Sequence, residues 1–368
     1  MQETHHKWHW RYRQKLIQIA VVAVLSVIGM WYLADCPCHA DAYNYYVFQP
    51  YQLLRNLFFG KIPFSIGDII YISWGIGLLA LVIRWVYYLL NLKDYADTLK
   101  YSFVKGIASL VGIYFMFMMG WGGNYYKEPL ANYWHIDTAR WSDSSIIEFD
   151  RFLVQQLNAT APHYKPHRFN DITRKAKTYY QANTDCYRNG KGLAIKPSMF
   201  GNWMQYMGVQ GYYNPFTGEG QVNTGELPFM LPYVVCHEIA HQAGVGAEDD
   251  ANLLAYALSV NSRDTTFMYS AYFNIWLYTH MQLRMRDTVA ANAIRESLNP
   301  TTIAHLKALR EQRRKYRSKI GAYTGDVYDQ YLKLNGQKDG IESYDKVTVS
   351  AWLWEQQRNS KTEKLYIP

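Results

Sequence analysis

The stretch from Leu16 to Ala34 (LIQIAVVAVLSVIGMWYLA) carries no charged side chain over the length that a helix needs to cross the hydrocarbon of a bilayer. Lipid offers no hydrogen-bond partner to a peptide group, so this stretch is predicted to be a transmembrane helix that satisfies its own backbone. A second apolar run, Ile66 to Leu90, holds only Asp68 near its start and Arg84 near its end, positions from which a charged side chain reaches the interface. A third, Phe103 to Trp121, has Lys105 near its entry. The expectation is a membrane domain over residues 1–122, with about three transmembrane helices near 16–34, 66–90 and 103–121. No small-residue cleavage site precedes the DCPC stretch convincingly, so the first run is expected to be retained as an anchor.

Basic residues set the expected orientation. Lys7, Arg11, Arg13 and Lys15 precede the first run, and Lys93 and Lys100 lie between the second and third. Both regions are predicted to be cytoplasmic. Residues 35–65 carry only Arg55 and Lys61 and are predicted to lie outside, as is everything after Trp121.

Residues 123–368 are mixed, Tyr-rich and charged, which points to a separate extracytoplasmic domain. The chain, at 368 residues, has room for one large or two ordinary domains. Much of the net charge of +8 falls in HLKALREQRRKYRSK, residues 305–319, expected to be a solvated helix face, with attraction to anionic lipid or an envelope polymer as the functional counterpart. Nucleic acid is disfavoured by the expected side of the membrane. Of the four cysteines, Cys186 is open to pairing with Cys36 or Cys38, and Cys236 to remaining a buried thiol. There is no Cys-x-x-Cys zinc pattern and no internal repeat.

The chemistry concentrates in VVCHEIAHQAGVGAEDDANLLAYA, residues 234–257. Pro228 and Pro232 stand where prolines are tolerated ahead of or in a helix's first turn. A helix over residues 229–243 follows, with Gly244 as its left-handed cap. His237 and His241, four apart on one face, are able to bind a single ion. Glu238 beside them is placed to polarise a water without being a ligand, as the H-E-x-x-H pattern encodes. Val234, Val235, Ile239 and Ala240 predict a mostly dry wall around the pair. A second helix is predicted from Glu248, on which Glu248, Ala251, Asn252 and Ala255 supply a third oxygen ligand, a partner for the ligands, and two small residues that admit the first helix. On this register Asp249 and Asp250 point elsewhere, and their charge suits the helix's first turn.

HEIAHQAG followed by EDDANLLAYA resembles the zincin-type metallopeptidases, in which the Glu of a downstream Glu-x-x-Ala-Asn/Asp motif completes the zinc site. More narrowly, the chain resembles a Bacteroidetes-type bacterial membrane protein family described as domain of unknown function number 3810. GKIPFSIGDIIYI, GGNYYKEPL, GYYNPFTGEGQVN, the histidine motif and YDQYLKLNGQKDGIESYD carry the resemblance across residues 60–345. The sequence departs from the expected pattern at Asp250, where a Glu would be expected. The resemblance implies a membrane-bound peptidase that uses Zn2+.

In zincin-like folds the edge strand above the metal commonly holds the peptide substrate. The turn-rich GYYNPFTGEGQVNTGELP, residues 211–228, is the expected strand or hairpin, so Glu219, Gln221 and Asn223 either line the cleft or brace the loop. Tyr344 is a candidate donor to a tetrahedral intermediate. The aromatic run 268–285 is expected to be core, with His280 a core histidine.

The expectation is an α-helical membrane anchor followed by an α+β, helix-rich, zincin-like metallopeptidase domain over residues 123–368, on the periplasmic side of the bacterial inner membrane. His237, His241 and Glu248 would hold zinc, Glu238 would move the proton, and Asn252 would support the ligands. Its partners would be the lipid bilayer and a peptide or protein of the cell envelope. The alternative is a non-catalytic envelope protein whose structural zinc is closed by Asp249, Asp250 or His280. An intramembrane protease is disfavoured, because H-E-x-x-H begins far beyond the last apolar run.

Overall fold

A computed structural model describes residues 2–184, 192–334, 344–358 and 364–368. Three of its helices are long and apolar enough to cross a membrane, at Tyr12–Asp35, Ile66–Leu90 and Leu92–Gly120. The first is the outer part of α1 (Gln2–Asp35), and the other two are α4 and α5. Only Asn91 separates α4 from α5. The loop expected between the second and third runs is therefore helical, with Lys93 and Lys100 on the first turns of α5. α1 packs along α5, and α4 packs against it through the tight turn.

The segment between α1 and α4 is helical too, as α2 (Pro37–Tyr43), a π turn and α3 (Gln49–Phe59). Its outer face shows Tyr45, Tyr46, Leu57 and Phe58, while Gln52 and Arg55 are buried. Cys36 and Cys38 form a disulfide with each other, and Cys236 is a buried free thiol. Cys186 lies outside the described residues.

After α5 the chain forms a helix-rich body with a small sheet. Its helices are α6 (Leu130–Tyr133), α7 (Asp143–Thr160), α8 (Phe169–Asn183), α9 (Asn202–Met207), α10 (Leu231–Gln242), α11 (Glu248–Asn261), α12 (Thr265–Arg286), α13 (Thr288–Glu296), α14 (Pro300–Lys315), α15 (Lys319–Leu334) and α16 (Tyr344–Arg358). α10, α11 and α12 form the centre, enclosed by α7, α8 and α16. Val235, Ile239, Leu254, Leu258, Phe273 and Ile275 fill their shared core. The aromatic run of α12 is core, as its spacing predicts: Tyr269, Tyr272 and Trp276 are buried. His280 stacks on Trp276 and meets Asp150 of α7 at 3.2 Å.

The sheet has the order β1 (Ile195–Pro197), β3 (Glu219–Val222), β2 (Gly211–Asn214). β1 runs parallel to β3, and β2 closes an antiparallel hairpin with it, pairing Gly211 with Val222 and Asn214 with Glu219. Because side chains alternate along a strand, one face of β3 presents Glu219 and Gln221, and the other presents Gly220 and Val222 to α10.

The Glu219 face binds the start of α4. Glu219 accepts the Gly67 N–H at 2.7 Å and the Ile66 N–H at 3.4 Å, two donors that the helix's first turn leaves unpaired. Ser65 caps the same turn by accepting the Asp68 N–H at 3.0 Å, and Gln221 donates to Ser65. Lys196 of β1 pairs with Glu219 and donates to the carbonyls of Phe59 and Phe64 at 2.7 and 2.9 Å. Asp68 does not reach for the interface as expected. It is fully buried and accepts from the Met199 N–H at 2.5 Å and from the hydroxyls of Ser198 and Tyr212.

Candidate metal centre

Pro232 in its first turn starts α10, and the chain turns at Gly244, whose φ of +88° is the left-handed conformation that glycine adopts without strain. Four residues later α11 begins at Glu248, with three acids in its first turn, where the helix dipole favours negative charge. Ala251 and Ala255 are fully buried between the two helices, so the backbones approach closely. This packing brings Glu248 over the His237 face of α10.

His237 Nε2 lies 3.2 Å from Glu248 Oε2, His241 Nε2 lies 3.5 Å from Glu248 Oε1, and the two Nε2 atoms lie 3.1 Å apart. One ligand-type atom from each residue falls within 4.8 Å of the others. His241 Nδ1 is 2.8 Å from the Val245 carbonyl. An acceptor there fixes Nδ1 as the protonated nitrogen and leaves Nε2 with its lone pair facing the cluster.

Two imidazole lone pairs and a carboxylate converging in a buried space attract positive charge. Burial opposes a charged His241, but Glu248 outweighs it and raises the imidazole's pKa to about 9. Burial likewise works against ionisation of Glu248, and His241 and His237 overcome it, holding the carboxyl well below its ordinary value. Both shifts have one physical cause, the mutual attraction of the carboxylate and the imidazoles across the cluster. Two imidazole nitrogens and one carboxylate are a donor set suited to zinc, so the residues fit such an ion.

Glu238 is 3% exposed and its Oε2 has no hydrogen-bond partner among the described residues. Burial pushes its carboxyl up to about 7, against the pull of the two histidines. The carboxylate lies against β2 at Gly211, where a Cβ would collide with Glu238 Oε1. The Tyr233 hydroxyl donates to Asn252 Oδ1 at 2.9 Å. Among the described residues, His237 Nδ1 and Asn252 Nδ2 are buried without partners.

The long apolar helices reach this centre directly. Trp121, the residue after α5, meets His241 edge to face with ring centroids 5.8 Å apart, and lies 4.5 Å from the Tyr213 ring. The turn at Gly244 rests on Asn44 and Phe48, from the segment between α1 and α4.

Other expected residues fall elsewhere. Glu219 and Gln221 do not line a cleft: both are fully buried and brace the start of α4. Asn223 is also buried, and its carboxamide oxygen accepts the Gly225 N–H within the turn after β3. Asp250 accepts the Leu130 N–H at 2.8 Å, away from the histidines. The side chain of Tyr344 lies outside the described residues. Sequence reasoning missed Trp121, Tyr233 and Gly211, none of which carries a metal-ligand signal. A glycine in a strand is a recognised mark of close backbone approach, and Gly211 offered that clue.

The family described as "Protein of unknown function (DUF3810)" matches residues 43–350. Comparison with curated proteins gives no match, and neither does comparison with solved structures.

Proposed function

This chain belongs to the DUF3810 family, and from that premise we propose that it is a membrane-anchored zinc metallopeptidase that cleaves peptides or proteins of the cell envelope. The observation that carries this is the convergence of His237, His241 and Glu248 within 4.8 Å, beside a buried acid with an unpaired oxygen. His237 and His241 would bind zinc through Nε2 and Glu248 through its carboxylate. When bound, zinc supplies Lewis acidity toward water and a peptide carbonyl.

The protein's own part is proton transfer and positioning. Glu238 Oε2 takes a proton from the attacking water and delivers it to the leaving nitrogen. The C–N bond breaks, and its two ends leave as a carboxylate and an amine. A carboxyl whose pKa burial raises to about 7 both accepts and returns a proton near neutrality. Gly211 keeps the space in which that carboxylate lies. The Val245 carbonyl orients His241.

A structural zinc would need a fourth protein donor. Among the described residues the group holds three, with Asp250 engaged by Leu130 and His280 by Asp150. The zincin-like arrangement, a Bacteroidetes-type cell and the periplasmic side of the inner membrane belong to the same proposal, the last from the basic residues before α1 and in α5.

The test is metal analysis of the purified full chain, with envelope proteomes compared between wild type and Glu238→Gln. One zinc per chain in both, with cleavage products only in wild type, is expected. Unchanged products in Glu238→Gln would remove the mechanism, and absence of zinc from wild type would remove the centre.

A further inference from the structure

The centre is built onto the ends of the membrane helices, although H-E-x-x-H follows the last apolar run by more than a hundred residues. Trp121 leaves α5 and touches His241. The tip of the β2–β3 hairpin lies alongside α4: Phe216 packs on Trp74 with centroids 4.9 Å apart, and Trp74 is about 12 Å along the helix axis from Ile66 at 1.5 Å per residue. Arg55, from the segment between α1 and α4, donates to the Pro215 carbonyl in the same tip. Gly244, which ends the histidine helix, is seated on Asn44 and Phe48.

The surroundings fit a membrane surface. Tyr45, Tyr46, Leu57 and Phe58, in the same segment between α1 and α4 as Asn44 and Phe48, are exposed. Met199, whose N–H binds Asp68 in the first turn of α4, is exposed together with Trp203. Aromatic and apolar side chains exposed at the height of a span's end are characteristic of the interfacial zone.

We infer that the centre acts on peptide bonds at the bilayer surface, in the juxtamembrane stretch of substrates that are themselves anchored in the membrane by an apolar helix. This inference rests on the peptidase reading above and adds the substrate class. One indole ring separates the end of α5 from His241, the two ring centroids lying 5.8 Å apart. An extended chain of three to five residues spans roughly 10–17 Å, at ~3.3 Å per residue. A bond that close to its own anchor reaches the centre while the anchor stays in lipid. A bond in a folded soluble protein does not approach without pushing that protein's bulk into the bilayer.

The experiment uses the full chain in phosphatidylethanolamine–phosphatidylglycerol nanodiscs. The probe is a randomised ten-residue peptide pool carrying a benzophenone, presented free, joined to an apolar helix through three residues, or joined through thirty. Photo-crosslinking to Glu238→Gln reads capture without turnover, and mass spectrometry of wild-type reactions reads cleavage. Expected is at least tenfold more capture and cleavage of the short-tethered pool than of the other two, with cuts within about five residues of the apolar helix. Equal capture and cleavage of free or long-tethered peptide would overturn the juxtamembrane assignment while leaving the peptidase intact. Preferential capture of the short tether with no zinc-dependent cleavage would sink the peptidase reading and leave the docking position standing. Neither capture nor cleavage in any arm would overturn both.

Discussion

The Glu238 carboxylate occupies the space that a side chain at Gly211 would fill. The strand beside the histidine helix is bare at that point so that a buried acid can lie against its backbone.

Gly211→Ala is therefore expected to displace Glu238 without disturbing the histidines. A misplacement on the order of 1 Å costs about 10²-fold in rate, so kcat should fall by that factor with zinc content unchanged. Wild-type kcat in Gly211→Ala would show that the carboxylate does not need this position.

Glu248→Gln removes the carboxylate that meets both histidines, and should lower zinc affinity by at least tenfold in a competition with a chelating dye. Asp250→Asn instead weakens the hydrogen bond from the Leu130 N–H, and should cost about 1–3 kcal/mol of stability while binding zinc normally. The reverse pattern would mean that the register of α11 is wrong.

Lys196 and Glu219 are a buried pair, their side chains 5% and 0% exposed. Removing one partner of such a pair costs about 3–5 kcal/mol, because the other is left buried and uncompensated. Lys196→Met should lower the unfolding midpoint in detergent markedly, and Lys196→Met/Glu219→Gln should recover part of the loss. Additive losses in the double variant would show that the two do not interact.

Val289 is 81% exposed on the body that carries the centre. With that body outside the cytoplasmic membrane, Val289→Cys should react with a membrane-impermeant maleimide in intact spheroplasts, and Lys93→Cys only after permeabilisation. Labelling in the opposite order would reverse the orientation drawn from the basic residues.

Patterns that repeat along one element were legible from sequence. Hydropathy located the three long apolar helices, and the proline and glycine around HEIAH bounded α10 to within two residues at each end. The small residues Ala251 and Ala255 carried the register that puts Glu248 rather than Asp250 beside the histidines. Relations between distant elements left no such trace. Glu219 and Gln221 stood in a strand next to the motif, and nothing local told which face of that strand would meet a membrane helix about 150 residues earlier. Asp68 read as an interfacial acid because the groups that donate to its carboxylate, the Met199 N–H and the Tyr212 hydroxyl, are equally remote in the chain. The distance from Trp121 to His237 along the chain argued against an intramembrane protease and gave no hint that the centre would pack on the end of α5. Chain separation sets no distance once helix ends and a hairpin pack together.

Glu219, caught between Lys196 and the first peptide groups of α4, makes residue 122 a poor place to cut the molecule in two. A fragment that began there would keep the lysine and the acid but lose the helix start, the serine cap and the aspartate that complete their network. The long apolar helices are thus a folding partner of the body. Any shift of α4 along its axis would pull on β3, whose opposite face packs on the helix that bears Glu238.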